Sequence, residues 1–164
     1  MIFDVYGELS DAQTLSAIGS DSSAASTDII DLTQYNKTFG VASGNLYLNI
    51  VCNTTATSGT SVATLTIKLC RDTVAPIDGA STVIYQTPAY AVGSDQMTAY
   101  DGKKGMILCM PLPDEVDSTG ATDALIGLYY TTGGGEAFTA GAIDAWIGPP
   151  MQSRYDTQVA SSNV

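Results

Sequence analysis

The chain of 164 residues contains no histidine, and it has only six basic residues against seventeen acidic ones. Histidine is the usual general base near neutral pH and the commonest metal ligand in proteins. Its absence excludes Ser-His-Asp and Cys-His nucleophile systems as well as histidine-bound metal centres. We therefore expect a protein that is not an enzyme and that has no catalytic residue, no cofactor and no bound metal.

Basic residues are too few and too scattered to build a surface that neutralises phosphates. The formal net charge is -11, and every charged residue before Lys37 is acidic. We expect no contact with nucleic acid and none with an anionic membrane. The sequence also lacks a basic segment followed by an apolar one at its start, and no stretch is long enough to span a bilayer. These absences predict synthesis and folding in a reducing cytoplasm.

The three cysteines lie in apolar runs and show neither a CxxC pair nor any other close spacing. An odd number without a close pair favours free, buried thiols over a disulfide framework or a metal site. Cys52 continues the alternation of its apolar neighbours, and Cys109 lies within an apolar run. Cys70 shares the strand parity of Lys68, which the alternation places outward.

The composition is rich in small and β-branched residues and includes nine tyrosines, which is typical of short strands joined by tight turns. Alternating apolar residues predict strands over 46–52 and 62–69, and we expect these two to be neighbours in one antiparallel sheet. Further predicted strands cover 28–32, 82–86, 90–92, 106–110, 124–131 and 138–146. This pattern predicts an all-β protein, an antiparallel β-sandwich of jelly-roll or immunoglobulin-like topology.

We predict one sandwich domain over residues 28–148 between two extensions. Residues 1–27 carry few large apolar side chains, which indicates an extended N-terminal arm or a disordered tail, with Ser10 capping one helical turn over 11–18. We expect deletion of residues 1–21 to leave the sandwich folded. Pro149 and Pro150 end the last strand because proline cannot donate a ladder hydrogen bond, so residues 149–164 form a C-terminal extension.

Three groups of residues invite a chemical interpretation. Asp114, Glu115 and Asp117 lack the spacing of a calcium loop or a glycosidase pair, so we interpret them as a solvated loop. The glycines at 133–135 lie between two predicted strands and indicate a flexible hairpin tip rather than a phosphate-binding loop. Six aromatic residues fit core or interface positions, with a sugar-stacking platform as the alternative: Tyr85, Tyr90, Tyr100, Tyr129, Tyr130 and Trp146.

Several segments follow one another in an informative order: LSDAQ at 9–13, STDIIDL at 26–32, LYL at 46–48, ATLTI at 63–67, LYYTTG at 128–133 and FTAGAIDAWI at 138–147. Together they resemble the Bbp16-like structural proteins of tailed bacteriophages, small proteins that resemble capsid cement or decoration proteins. The similarity spans roughly residues 9–147 and rests on pattern, since no residue in it is chemically obligatory. The chain departs from this pattern over 74–105 and after Pro150.

The resemblance implies a jelly-roll homotrimer that sits on the outer surface of the virion capsid and clamps neighbouring subunits of the major capsid protein. It implies no catalytic residue. In this interpretation the arm supplies contacts to the capsid or to a neighbouring subunit through Ile2, Phe3, Val5, Tyr6, Leu9, Leu15 and Ile18. The alternatives are a carbohydrate-binding or host-recognition sandwich and a hydrolase that uses Asp114, Glu115 or Asp144.

Overall fold

A computed structural model describes residues 7–31, 46–101, 104–112 and 125–151. This part of the chain forms ten strands and two short 3-10 helices, Leu15–Ala17 and Asp95–Met97. The strands are β1 (Glu8–Thr14), β2 (Ser23–Ala25), β3 (Ile30–Asp31), β4 (Tyr47–Ser58), β5 (Thr64–Asp72), β6 (Thr82–Gln86), β7 (Tyr90–Ala91), β8 (Met106–Pro111), β9 (Leu125–Gly133) and β10 (Phe138–Gly148).

The strands form two antiparallel sheets. Sheet A has the order β1-β10-β4-β8, and sheet B has the order β2-β9-β5-β6. In sheet B, β3 continues the line of β2 along β9, and β7 continues the line of β6 along β5. If each of these two lines counts as one interrupted strand, the eight strands follow the order of a jelly roll. The predicted all-β sandwich is confirmed.

The core lies between the two sheets. Alternate residues of each strand point inward because side chains in a strand alternate between its two faces. Sheet A contributes the buried residues Leu48, Ile50 and Cys52 from β4 and Ile143, Ala145 and Ile147 from β10. Sheet B contributes Leu65, Ile67 and Leu69 from β5 and Ile126, Leu128 and Tyr130 from β9.

The strands β4 and β5 follow each other in the chain, yet they lie in opposite sheets. β4 pairs with β10 and β8, whereas β5 pairs with β9, β6 and β7. The prediction that they are neighbours in one sheet is therefore wrong. Alternation indicates which side chains of a strand face a core. It does not indicate to which sheet the strand belongs, because the inner faces of both sheets of a sandwich are apolar. β4 also continues to Ser58, well past residue 52, where the predicted strand ends.

The glycine run at 133–135 does not form a hairpin tip, because β9 lies in sheet B and β10 in sheet A. The connection instead crosses from one sheet to the other. Gly134 and Gly135 adopt φ values of 91° and 75°, a region that favours glycine. A β-carbon at Gly134 would also collide with the carbonyl oxygen of Val62. The glycines are thus needed for the tight crossing between sheets.

Residues 7–27 belong to the sandwich, which corrects the predicted arm. β1 pairs with β10, and a single 3-10 turn at Leu15–Ala17 replaces the predicted helical turn over 11–18. Two register shifts in β1 break the alternation that marks a strand in sequence. Of the predicted C-terminal extension, residues 149–151 are described. Residues 1–6 and 152–164 lie outside the described part of the chain.

Candidate interaction surfaces

The predicted contact residues of the arm fall into two groups. Leu9, Leu15 and Ile18 are buried in the core of their own chain. Their side chains are therefore unavailable to a partner, because they face the interior between the two sheets. The other four predicted contact residues lie outside the described residues: Ile2, Phe3, Val5 and Tyr6.

The described residues contain no group of three or more acidic or cysteine side chains that could hold a metal ion. Asp114, Glu115 and Asp117 lie outside the described residues. The Asp144 carboxylate accepts hydrogen bonds from the Ala12 backbone N–H at 2.7 Å and from the Asn53 side-chain amide at 2.6 Å. Ala12 has a φ of 45°. Asp144 thus fixes the irregular part of β1 against β10.

The side of the sandwich along β1 is acidic. Glu8 lies near Asp11, Asp28 and Asp144, and its pKa is raised by partial desolvation and then by the negative charge of these neighbours. A raised carboxyl pKa is the expected response to like charges at close range. The described part of this side therefore presents a negative potential.

The predicted aromatic residues do not share one face. Tyr130 is buried in the core, where its hydroxyl hydrogen-bonds the Ser10 hydroxyl at 2.8 Å. Tyr129 points outward from sheet B and hydrogen-bonds the Ser23 hydroxyl at 2.6 Å. Trp146 lies on sheet A. The structure therefore does not assemble a sugar-stacking platform from this set, whose other members are half-buried: Tyr85, Tyr90 and Tyr100.

All three thiols are free in the structure, as expected. Cys52 and Cys70 are buried, and Cys109 is half-buried. Burial raises the pKa of both Cys52 and Cys70 to about 11. Cys70 points outward from β5, as its parity indicates, and it pairs with Gly127 on β9. A β-carbon on Gly127 would lie 2.7 Å from the side chain of Ile77, so the loop after β5 covers this part of sheet B.

That loop, residues 73–81, is held in place by its own polar side chains. The Ser81 hydroxyl donates to the Asp72 carboxylate at 2.6 Å, and the backbone N–H groups of Thr73 and Val74 donate to the same carboxylate at 2.6 and 3.2 Å. The hydrogen bond from Ser81 and those from the two backbone N–H groups lower the pKa of Asp72. Asp78 adds bonds to Ala80 and Ser81. The β5–β6 loop is therefore pre-ordered.

The β5–β6 loop carries an apolar tip made of Val74, Ala75 and Pro76, all of which are exposed. Val74 is 66% exposed, and Val83, two residues beyond the loop, is 47% exposed. Among the described residues the only other exposed large apolar side chain is Val62, at 55%, in the β4–β5 connection. Sequence patterning missed the position of this loop because its packing depends on a residue distant in the chain, Gly127 of β9, over which Ile77 lies.

The model of one protein family, described as Bbp16, matches residues 9–147. The matched region begins within β1 and ends within β10, so it includes every strand of both sheets. No curated protein is similar to the chain. In the described residues, no helix has the length and apolar character needed to cross a membrane.

Proposed function

Because the chain belongs to the Bbp16 family, we propose that it is a structural virion protein that binds the outer surface of a tailed-phage head. In this role it is a capsid cement or decoration protein. Its partner is the major capsid protein, and it stabilises the contacts between neighbouring capsid subunits. It acts by binding, without catalysis, and it is made in the host cytoplasm before it joins the particle.

The observation that carries the proposal is the pre-ordered β5–β6 loop with its exposed apolar tip. A rigid loop loses little conformational entropy when it binds, so more of its contact energy appears as affinity. Exposed valines cost little on a single molecule, but Val74 in the fixed loop and Val83 just beyond it each offer an apolar side chain to a partner. The proposal assigns Val74 and Val83 to the contact with the capsid.

The charge distribution supports a position on the outside of the shell. The net charge is -11, and the side of the sandwich along β1 presents Glu8, Asp11, Asp28 and Asp144. A protein on the inner surface would face packaged DNA, whose phosphates repel such a surface. An outer position avoids this repulsion.

Self-association would strengthen a contact of this size. One loop tip offers a small apolar area, and small interfaces are weak. In a homotrimer three such loops are held in one rigid body, so binding of the first raises the effective concentration of the others. We propose that the protein staples capsid subunits in this multivalent way.

The test is to replace the two anchors with aspartate, as Val74→Asp with Val83→Asp, and to measure retention on purified heads that lack the protein. We expect retention to weaken by about tenfold or more, because each buried charge opposes docking of an apolar contact. Val62→Asp is the matched control, since Val62 is similarly exposed and lies in a different loop.

Circular dichroism must show that all variants remain folded. Retention that is unchanged in the double variant, or that falls equally in Val62→Asp, would remove the β5–β6 loop from the proposal. Failure of the unmodified protein to bind heads under any condition would contradict the proposed function itself.

A further inference from the structure

Two side chains on the outward face of sheet A, Asn49 and Val51, are shielded from water. Cross-strand pairing places Trp146, Asn49 and Cys109 in one row. Asp144, Val51 and Met106 form the next row. Val51 points away from the core between the sheets, yet it is only 6% exposed. This face therefore behaves as a partly covered surface.

Sheet B differs on the corresponding face. Away from the part that the β5–β6 loop covers, its outward positions include four half-buried polar side chains: Thr64, Thr66 and Lys68 on β5 and Thr131 on β9. The outward face of an antiparallel sheet is usually polar, as these four positions are. Asn49 and Val51 of sheet A are thus covered more completely than these four positions of sheet B.

Asn49 shows where such a cover begins. Its side-chain N–H donates to the carbonyl oxygen of Pro149 at 3.1 Å, and its side-chain oxygen accepts from the Met151 N–H at 3.0 Å. Cys109 also donates to that oxygen, at 3.2 Å. Asn49 is 0% exposed. Because one amide pairs with a C=O and an N–H two residues apart, it holds the backbone at 149–151 against the outward face of sheet A.

We propose that this face is a docking surface for the chain's own C-terminal residues 152–164, which Asn49 directs across it. Thirteen residues follow Met151, and when extended they reach about 43 Å. A four-stranded sheet is roughly 15 to 20 Å wide, so the segment is long enough to cross it. Tyr155 and Val159 supply apolar side chains for the contact. The inference does not depend on capsid binding.

The face contains two reporters. Trp146 is the only tryptophan of the chain, and Cys109 is half-buried beside Asn49. In a variant truncated after Met151, we expect thiol labelling of Cys109 to accelerate by about tenfold as its cover is lost. Tryptophan emission should shift to longer wavelength. Cys52 and Cys70 are buried and should remain slow, which serves as the internal control for a folded core.

A pair of substitutions isolates the role of Asn49. Asn49→Ala should reproduce the faster Cys109 labelling and the shifted tryptophan emission in the full-length chain, because the hydrogen bonds from Asn49 to the backbone at 149–151 are lost. Asn53→Ala is the matched control: Asn53 lies on the same strand and the same face, but its amide donates to Asp144. Asn53→Ala should leave Cys109 labelling and Trp146 emission as they are.

Unchanged labelling and emission in the truncated variant would overturn the proposal. Protection of Cys109 that disappears on dilution would also overturn it, because the cover would then be a second copy. Truncation could unfold the protein, in which case Cys52 and Cys70 would also react. The proposal is then tested by the rate of trypsin cleavage after Arg154 in the intact chain. Cleavage about tenfold slower than in a free peptide of residues 149–164 supports docking, and equal rates refute it.

Discussion

At the scale of single residues, one pair of buried hydroxyls connects the two sheets. The hydroxyls of Ser10 on β1 and Tyr130 on β9 hydrogen-bond across the core and so join the two sheets. A buried hydroxyl without a partner costs about 1 to 3 kcal/mol, so this pairing preserves stability that an isolated hydroxyl would lose. Burial also raises the pKa of Tyr130. Buried ionisable groups of this kind make the free energy of unfolding depend on pH in the alkaline range.

We predict that stability falls as pH rises from about 9 to about 11. The pKa of Cys52 and Cys70 rises from 9.0 to about 11 in the folded protein. Within this window the unfolded chain releases these protons while the folded chain keeps them, so the free energy of unfolding decreases with pH. Below pH 9 the contribution is fully present. Urea unfolding measured at intervals from pH 8 to 11 gives this slope.

The control for this prediction is a variant with both Cys52 and Cys70 replaced by alanine. Its stability should be lower at pH 8 but should fall less steeply over the same window. The tyrosines still titrate in that variant, and Tyr130 in particular continues to destabilise the folded state at the alkaline end. Equal slopes in the two proteins would contradict the assignment to the thiols.

At the scale of elements, β1 combines an edge position with a role in the core. Among the strands that the structure describes, it lies at the edge of sheet A and pairs with β10 alone. Its two register shifts and the positive φ at Ala12 distort this edge, and Asp144 holds the distortion in place. An irregular, acidic edge discourages another strand from pairing with it. Meanwhile Leu9 fills the core from the same strand.

We predict that deletion of residues 1–21 unfolds the protein. The deletion removes β1 together with the buried side chains Leu9, Leu15 and Ile18. Truncation of one buried leucine or isoleucine to alanine costs about 2 to 5 kcal/mol, and a typical domain has only about 5 to 15 kcal/mol in total. Circular dichroism and thermal melting should show a chain without a cooperative transition. This replaces the expectation from sequence that the sandwich tolerates the deletion.

Deletion of residues 1–6 is the matched control, because it leaves β1 and the three buried side chains intact. We expect this shorter deletion to retain a cooperative melt. A folded, cooperatively melting protein after deletion of 1–21 would show that β1 is dispensable. That result would support the prediction from sequence that residues 1–21 belong to an arm.

At the scale of the whole molecule, the jelly roll places its two candidate interaction surfaces on different sheets. Sheet B carries the β5–β6 loop over its outer face near Gly127, while sheet A receives the backbone at 149–151 over Asn49. The two surfaces lie on opposite sides of the sandwich. A contact through the β5–β6 loop and a cover on sheet A can therefore operate without interfering with each other.

We predict that the protein is a homotrimer in solution, as the resemblance to the Bbp16-like proteins implies. Light scattering after size exclusion should give three times the mass of one chain, independent of loading concentration. The variant with Val74→Asp and Val83→Asp should keep this mass, because the proposal assigns these residues to the capsid rather than to the trimer. A monomer at every concentration would remove the multivalent part of the proposed function.

The sequence by itself determined the fold class and most of the strands. Alternation over 46–52 and 62–69 predicted which side chains face the core, because the two-residue period of a strand is a local property. The absence of histidine excluded histidine-based chemistry from composition alone. The resemblance carried by residues 9–147 agrees with the family match over the same range.

The tertiary structure decided which strands pair and which residues meet. Nothing local distinguishes the inner face of one sheet from that of the other, so the separation of β4 from β5 was invisible to alternation. Leu9 was predicted to contact a partner and instead lies in the core, because bulges interrupt the period that would have marked β1 as a strand. Cys70 has outward parity and is buried because Ile77 folds over its neighbour Gly127. Asn49 meets Pro149 one hundred positions away, and only the packing of β4 against β10 brings that pair together, since a contact so distant in sequence leaves no local pattern.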